Sequence, residues 1–282
     1  MAIHYLFYVV FFMQIFLLSY YYPHKIVGRI KQLQKECPPS THPKLYPANS
    51  SNGQLGNKAY QWLSFVVLLV GVILYFYIFF QMQKGLISLD NVDFVPLVFG
   101  LLQCVPYIVL ELSSAKQLKL MRQANTQTKR QAELRPRHLF SYISPLKVIA
   151  AAGMFILCMF GMAYFEQFKL TPDLIVLFGS LFLAHALFIG VGTKLLVGQK
   201  SDPHQSPDDR VKVTTATLNT YIYTSLLISV YFLLNRSVDF FQWQDLEVIF
   251  NSAYFMLLGM FSMGSLLRKV QIRDINFDVY RA

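Results

Sequence analysis

The chain has 282 residues, with 25 Lys and Arg against 15 Asp and Glu (net charge +10), and 55% of its residues belong to the set AVILMFWYC. Charged residues make up only 14%, where an average soluble domain carries about a quarter; 25 Phe and 17 Tyr stand in their place, and the mean hydropathy is +0.41. One globular core cannot hide that much apolar surface, which excludes a soluble enzyme, a secreted disulfide scaffold, a coiled coil and a disordered tail, and predicts a polytopic membrane protein.

Seven apolar stretches follow in chain order. The first, 2–22, holds no charged side chain, has no basic segment before it and no small-x-small cleavage site after it, so it reads as a retained span and not as a signal peptide. Loop 23–59 carries Cys37-Pro-Pro-Ser-Thr-His-Pro-Lys-Leu-Tyr-Pro, a stretch expected to be stiff and extended. Span two, 60–80, is bracketed by Trp62 and by Tyr75, Phe76 and Tyr77, an aromatic belt. Span three, 94–112, contains Pro96 and Pro106, which predict a kink with freed carbonyls. Beyond it, Leu118, Leu120 and Met121 alternate with Lys116, Lys119 and Arg122, an amphipathic continuation at the membrane surface. Spans four to seven are predicted at 146–165, 174–197, 218–234 and 248–267. The expected fold is therefore an all-α seven-span bundle in a single domain.

Basic residues test that count independently. Lys and Arg number six in 23–59, one before span three, eight in 113–147, one after span four, four around 198–217, one after span six and four in the tail, which accounts for all 25. The sparse loops hold Asp90, Asp93, Glu166, Asp173, Asp239, Asp245 and Glu247. Positive-inside bias then places the N-terminus outside and the C-terminus in the cytoplasm, with basic cytoplasmic loops at 23–59, 113–145 and 198–217. It also accounts for the basic excess without nucleic acid, and points to a plasma or bacterial inner membrane over an organellar one. Lys25-Ile-Val-Gly-Arg-Ile-Lys31 and Lys194-Leu-Leu-Val-Gly-Gln-Lys200 resemble one another, which would make spans one to three and five to seven parallel triplets around the fourth; such strings also recur at any cytoplasmic helix end.

Enzyme signatures fail. The sequence has no P-loop, Gly-x-Gly-x-x-Gly, His-Glu-x-x-His, Cys-x-x-Cys or Gly-x-Ser-x-Gly. Ser180 and His185 are five apart and point in different directions on one helix, so they cannot form a nucleophile and base there. Paired intramembrane histidines for haem are missing, no lysine lies mid-span in span seven, and Cys37 with His42 would be only two metal ligands. No cofactor and no metal is expected.

Polar residues inside the spans remain. Gln103, Tyr107 and Glu111 form one stripe on span three; Thr217, Thr220 and Thr224 form one on span six, and Asn251 lies on span seven. Gly179, Ala186 and Gly190 make a small-residue face on span five, suited to close helix contact, and Ala150 to Gly153 with Gly161 make one on span four. His185 is mid-span, too deep to snorkel, and is expected to face protein beside Gln103, Tyr107, Thr220 or Thr224. Glu111 is expected to pair with Lys147 or Lys194 at the cytoplasmic end. The candidate binding residues are thus Gln103, Tyr107, Glu111, Lys147, His185, Lys194, Thr220, Thr224 and Asn251, lining a polar pocket between spans three, five, six and seven. The leading function is a non-enzymatic small-solute permease, channel or receptor-like protein. The second is a membrane-anchored interaction subunit binding a cytoplasmic partner or anionic lipid through loops one and three. The third is a lipid-headgroup enzyme using His42, His138 and basic residues at the cytoplasmic face.

Overall fold

A computed structural model describes residues 2–46, 51–125, 138–197 and 202–281, all helix and loop with no strand among them. Pro47 and the loop-three and loop-five lysines and arginines at 129, 130, 135, 137 and 200 lie outside those residues. The first span is one continuous rod: α1 (Ala2–Ile15), a π-turn (Phe16–Tyr21) and α2 (Tyr22–Glu36). The others are α3 (Ser51–Gln83), α4 (Val95–Ala124), α5 (Pro145–Phe165), α6 (Pro172–Val197) and α7 (Pro207–Phe241), then α8 (Gln244–Phe261) continued by α9 (Met263–Lys269). Seven of these rods are long and apolar enough to cross a membrane, so the chain is a multi-pass membrane protein with the expected number of spans.

Helices overrun their apolar stretches. The first span extends to Glu36, α3 begins at Ser51, and α7 covers 35 residues where hydropathy marks only 218–234. The last case is dictated by its start: Ser206 caps the helix by accepting from the Asp209 backbone N–H, Pro207 sits in the first turn, and Asp208 and Asp209 complement the helix dipole. Helix α4 runs through Pro106 unbroken and continues past span three, as its amphipathic extension predicted. Between α8 and α9, Ser262 bonds back to the Leu258 carbonyl and the backbone changes direction (ψ −77°).

Two groups of helices emerge. The first span, α3, α4 and α8 pack into one; α5 and α6 both lean on α7 and scarcely touch each other. Helix α8 joins the groups, lying against α1, α4 and α7. The fourth span is thus peripheral, and the layout of two triplets around it is not formed. The first group is built on rings: Phe7 and Phe11 are fully buried, Phe11 stacks on Tyr75 and meets Phe99 edge-on, and Tyr8 meets Phe79. Outward faces stay apolar. Phe65, Leu69, Ile73, Phe76 and Phe80 form an exposed stripe down α3, a surface that hydrocarbon tolerates and water does not.

The two ends differ in charge. At one, Arg236 pairs with Glu166 and Asp239 and ties α7 to the end of α5. At the other, loop and tail segments fold together into a cap. Arg29 donates to the carbonyls of Leu267 and Val270 at the end of α9, Lys212 to that of Asp274, and Tyr280 to the Asp202 carboxylate at 2.7 Å. The proline-rich loop is not extended here. Its Thr41 and His42 amides bond back to Pro38, and Pro43–Leu45 form a 3-10 turn, because Thr41 and the prolines favour turns once Cys37 and His42 are buried under the tail.

Candidate functional site

The nine candidate residues do not share one pocket. Gln103 and Tyr107 face the first span. Gln14 donates to the Gln103 side-chain oxygen at 3.0 Å and to the Pro96 carbonyl at 3.2 Å, while Gln103 donates to Ser19 at 2.8 Å. All three are buried. The π-turn explains Tyr107. Across it the Tyr22 N–H bonds the Leu17 carbonyl, five residues back, and the next residue, Pro23, has no N–H. The Leu18 carbonyl is therefore left without a backbone donor, and the Tyr107 hydroxyl supplies one at 2.8 Å. This is an internal lock between α4 and the first span.

Asn251 is also a tie. It accepts from the Tyr231 hydroxyl at 2.8 Å and donates to the Asp93 carbonyl at 2.9 Å, joining α8 to α7 and to the link before α4. Thr220 bonds its own helix at Ala216, and Thr224 is half-buried. Glu111 is exposed and makes no ion pair among the described residues, so the expected bridge to Lys147 or Lys194 is not formed. Lys147 instead donates to Asn219 at 2.6 Å and sits 5.5 Å from the Tyr223 ring centre, a position it shares with Lys269 at 5.8 Å. The reason is placement: α4 packs on α3 and α8, so its stripe does not reach the start of α5. Lys194 is exposed.

His185 is where a cavity lies. Its Nδ1 is 2.8 Å from the Leu181 carbonyl, which can only accept, so Nδ1 carries a proton. Nε2 is 3.1 Å from the Ser229 hydroxyl on α7, and the ring lies 4.7 Å from that of Phe155 on α5. His185 thus faces protein, with span six as its neighbour, but its partner is none of the four expected. Ser229 lies on a second arc of α7, with Leu218, Ile222 and Ser225, apart from the threonine stripe. The signal was a seryl pair at i, i+4 opposite a histidine.

Beside this contact is a groove of about 380 Å3 between α5 and α6, floored by α7 and closed at its basic end by Leu139 and Ile143. Val148, Ala151, Ala152 and Phe155 form one wall, and Phe182, Ala186, Ile189 and Gly192 the other, with Tyr221 and Ser225 beneath. Phe182, Ala186 and Ile189 are exposed, so the groove opens sideways, toward lipid. The small-residue face of span five does not press on a neighbour. A side chain added at Gly179 or Gly190 would meet nothing within 4 Å, and the same holds for Gly153 on α5. Both helices lean on α7 and diverge from each other, which leaves these small residues facing open space.

Catalytic readings do not fit the geometry. His185 and Ser229 stand at the distance of a base and nucleophile, yet Ser229 has no exposed surface. Ser180 bonds its own helix carbonyls. In the cap, His42 is buried against Thr41, and burial with the Glu36 charge raises the Cys37 thiol above its usual range, which disfavours the thiolate a metal needs. No cluster of metal-binding side chains occurs among the described residues. A second cavity, about 540 Å3, lies at the acidic end between Asp90, Asp93, Asp245 and Glu247. No family model, curated protein or solved structure matches the chain.

Proposed function

We propose that the protein is a non-enzymatic, receptor- or permease-like membrane protein whose ligand site is the groove between α5, α6 and α7. The observation that carries this reading is the groove itself, open along α5 and α6, with His185 held in its wall by Ser229. Its lining is apolar apart from a few hydroxyls and one imidazole, the make-up of a site for a mostly apolar ligand with a small polar part. The basic cap and loops face the cytoplasm in this reading, and the N-terminus lies outside. A photo-crosslinking residue at Ala186 tests it, with Ile175, exposed on the same helix away from the groove, as control. A discrete adduct mass at Ala186, competed by unlabelled ligand extract, is expected. Identical, uncompeted labelling at both positions would sink the reading.

The cap favours a second reading, an interaction subunit. Loop one, the start of α7 and the tail form a built surface at the basic end, where anionic lipid or a cytoplasmic protein would dock. Mass measurement in mild detergent discriminates: a stable complex above the 32.6 kDa of the chain that dissociates on removal of residues 270–282 supports it.

A further inference from the structure

We infer that the protein binds a phosphate group at its basic end, between Lys147 of α5 and Lys269 of α9, beside the Tyr223 ring of α7. None of these three residues lines the groove, so the site stands whether or not the groove takes a ligand. Three helices bring them together: Lys147 is the third residue of α5, Lys269 is the last of α9, and Tyr223 lies midway along α7. The two ammonium groups sit 5.5 Å and 5.8 Å from the same ring centre, which puts their nitrogens within about 11 Å of each other.

Like charges repel, so their convergence needs a group that holds them there. Asn219 holds the first. It is buried, its amide N–H is committed to the Thr215 carbonyl at 2.7 Å, and its oxygen is thereby turned to Lys147 at 2.6 Å. Lys147 is positioned with two of its three N–H donors unspent, and the exposed Lys269 spends none of its three on protein among the described residues. Neither has a carboxylate partner there. Arg29, at the same end, differs: it is satisfied by the Leu267 and Val270 carbonyls. Lys147 also stands on the first turn of α5, the positive end of that helix dipole, where the Ser144 side chain makes no capping bond. Unspent donors, two positive charges and a helix start call for an anion with several acceptor oxygens, which is the chemistry of phosphate. Position names the source. Lys147 directly precedes the uncharged run 148–165, the boundary at which the phosphodiesters of a bilayer lie.

The full chain, purified in mild detergent and exchanged against vesicles of equal phosphatidylglycerol and phosphatidylcholine, is weighed by native mass spectrometry. One phosphatidylglycerol per chain should be retained, favoured about tenfold over phosphatidylcholine, the scale of two lysines at an anionic surface. Lys147→Gln with Lys269→Gln should lose that preference. Lys25→Gln with Lys31→Gln, at the same end and including a lysine that faces a tyrosine ring alone, should keep it. Lys269→Gln by itself, at an exposed helix end, should weaken the preference severalfold and replaces the double variant should that misfold. A second arm adds millimolar inorganic phosphate, against chloride of equal ionic strength, to the chain in phosphatidylcholine alone. A rise in melting temperature that the double variant lacks assigns the site to free phosphate as well; no rise, with the lipid preference present, assigns it to the lipid headgroup. Equal retention of the two lipids with no response to phosphate would overturn the inference. So would a preference that survives in the folded double variant, or one lost equally to the Lys25 and Lys31 pair.

Discussion

The two groups of helices use the same small residues in opposite ways. In the first span, α3, α4 and α8, the mid-span glycines lie under large side chains: Gly71 under Phe99 and Ile15, Gly100 under the Phe255 ring, Gly259 under Leu18, while Gly28 near the end of the first span is open. In α5 and α6, Gly153, Gly179 and Gly190 have nothing opposite, while Gly161 and Gly192, which face α7, are covered by Leu233 and Leu218. Burial follows. Some 39% of the first span's apolar window is buried, against 11% for α5 and for α6. A small residue permits close approach but does not cause it; a ridge must be present to fill the space. The first group has rings to supply the ridges, and the α5–α6 pair turns its large residues outward.

The largest effect should come from filling a glycine in each group. Gly100→Val would drive two methyl groups into the Phe255 ring and should cost about 1–3 kcal/mol, more if α4 and α8 separate. Gly190→Ala should be neutral or stabilise by up to about 1 kcal/mol, since helix propensity improves and no contact is disturbed. Melting temperatures in one detergent compare them. Equal losses at both sites would erase the contrast between the groups.

Hydrogen bonds offer a smaller test of the same contrast. Gln103→Leu leaves the Gln14 amide with only the Pro96 carbonyl and the Ser19 hydroxyl without its donor among buried side chains, and should cost about 1–3 kcal/mol. Adding Gln14→Leu should recover part of the loss, because the half-satisfied amide is then gone. In the second group, Ser229→Ala removes one bond to His185 at the edge of an open groove, and about 0.6 kcal/mol is the typical size of such a bond between membrane helices. A Ser229→Ala loss as large as that of Gln103→Leu would mean that the groove is packed far more firmly than its open glycines imply.

The spans and their number were legible because hydropathy and loop charge both report on the solvent, not on the neighbours. The site was legible only residue by residue. His185 was identifiable because a mid-span imidazole has to meet a polar group, but Gln103 pointed the other way because helix order, which no stripe encodes, puts α4 against the first span. The pairing of Glu111 with Lys147 failed for the same reason. Gln14 was passed over as one uncharged residue in an apolar run, although an amide in mid-span carries the same signal as His185. The π-turn is readable afterwards from Pro23, whose missing N–H frees the Leu18 carbonyl, but nothing local requires it without the Tyr107 hydroxyl to receive.

The smallest expected effect lies at the cap, where the two groups are fastened together: α7 belongs to one, the tail continues from the other, and Tyr280 reaches Asp202 beside His204. Burial lowers the His204 pKa below its usual 6.5, an effect that nearby Asp202 opposes and Lys44 assists. The folded cap therefore binds fewer protons than the open one. Its contribution is fully present above about pH 6.5 and is lost as the pH falls below that value toward the lowered pKa. Hydrogen exchange of residues 270–281 should accordingly speed up between pH 7.5 and 5.5, after correction for intrinsic rates, and His204→Gln should remove most of the change. Exchange that slows in acid, or a His204→Gln chain with the same pH response, would show that the cap is held by something other than a neutral His204.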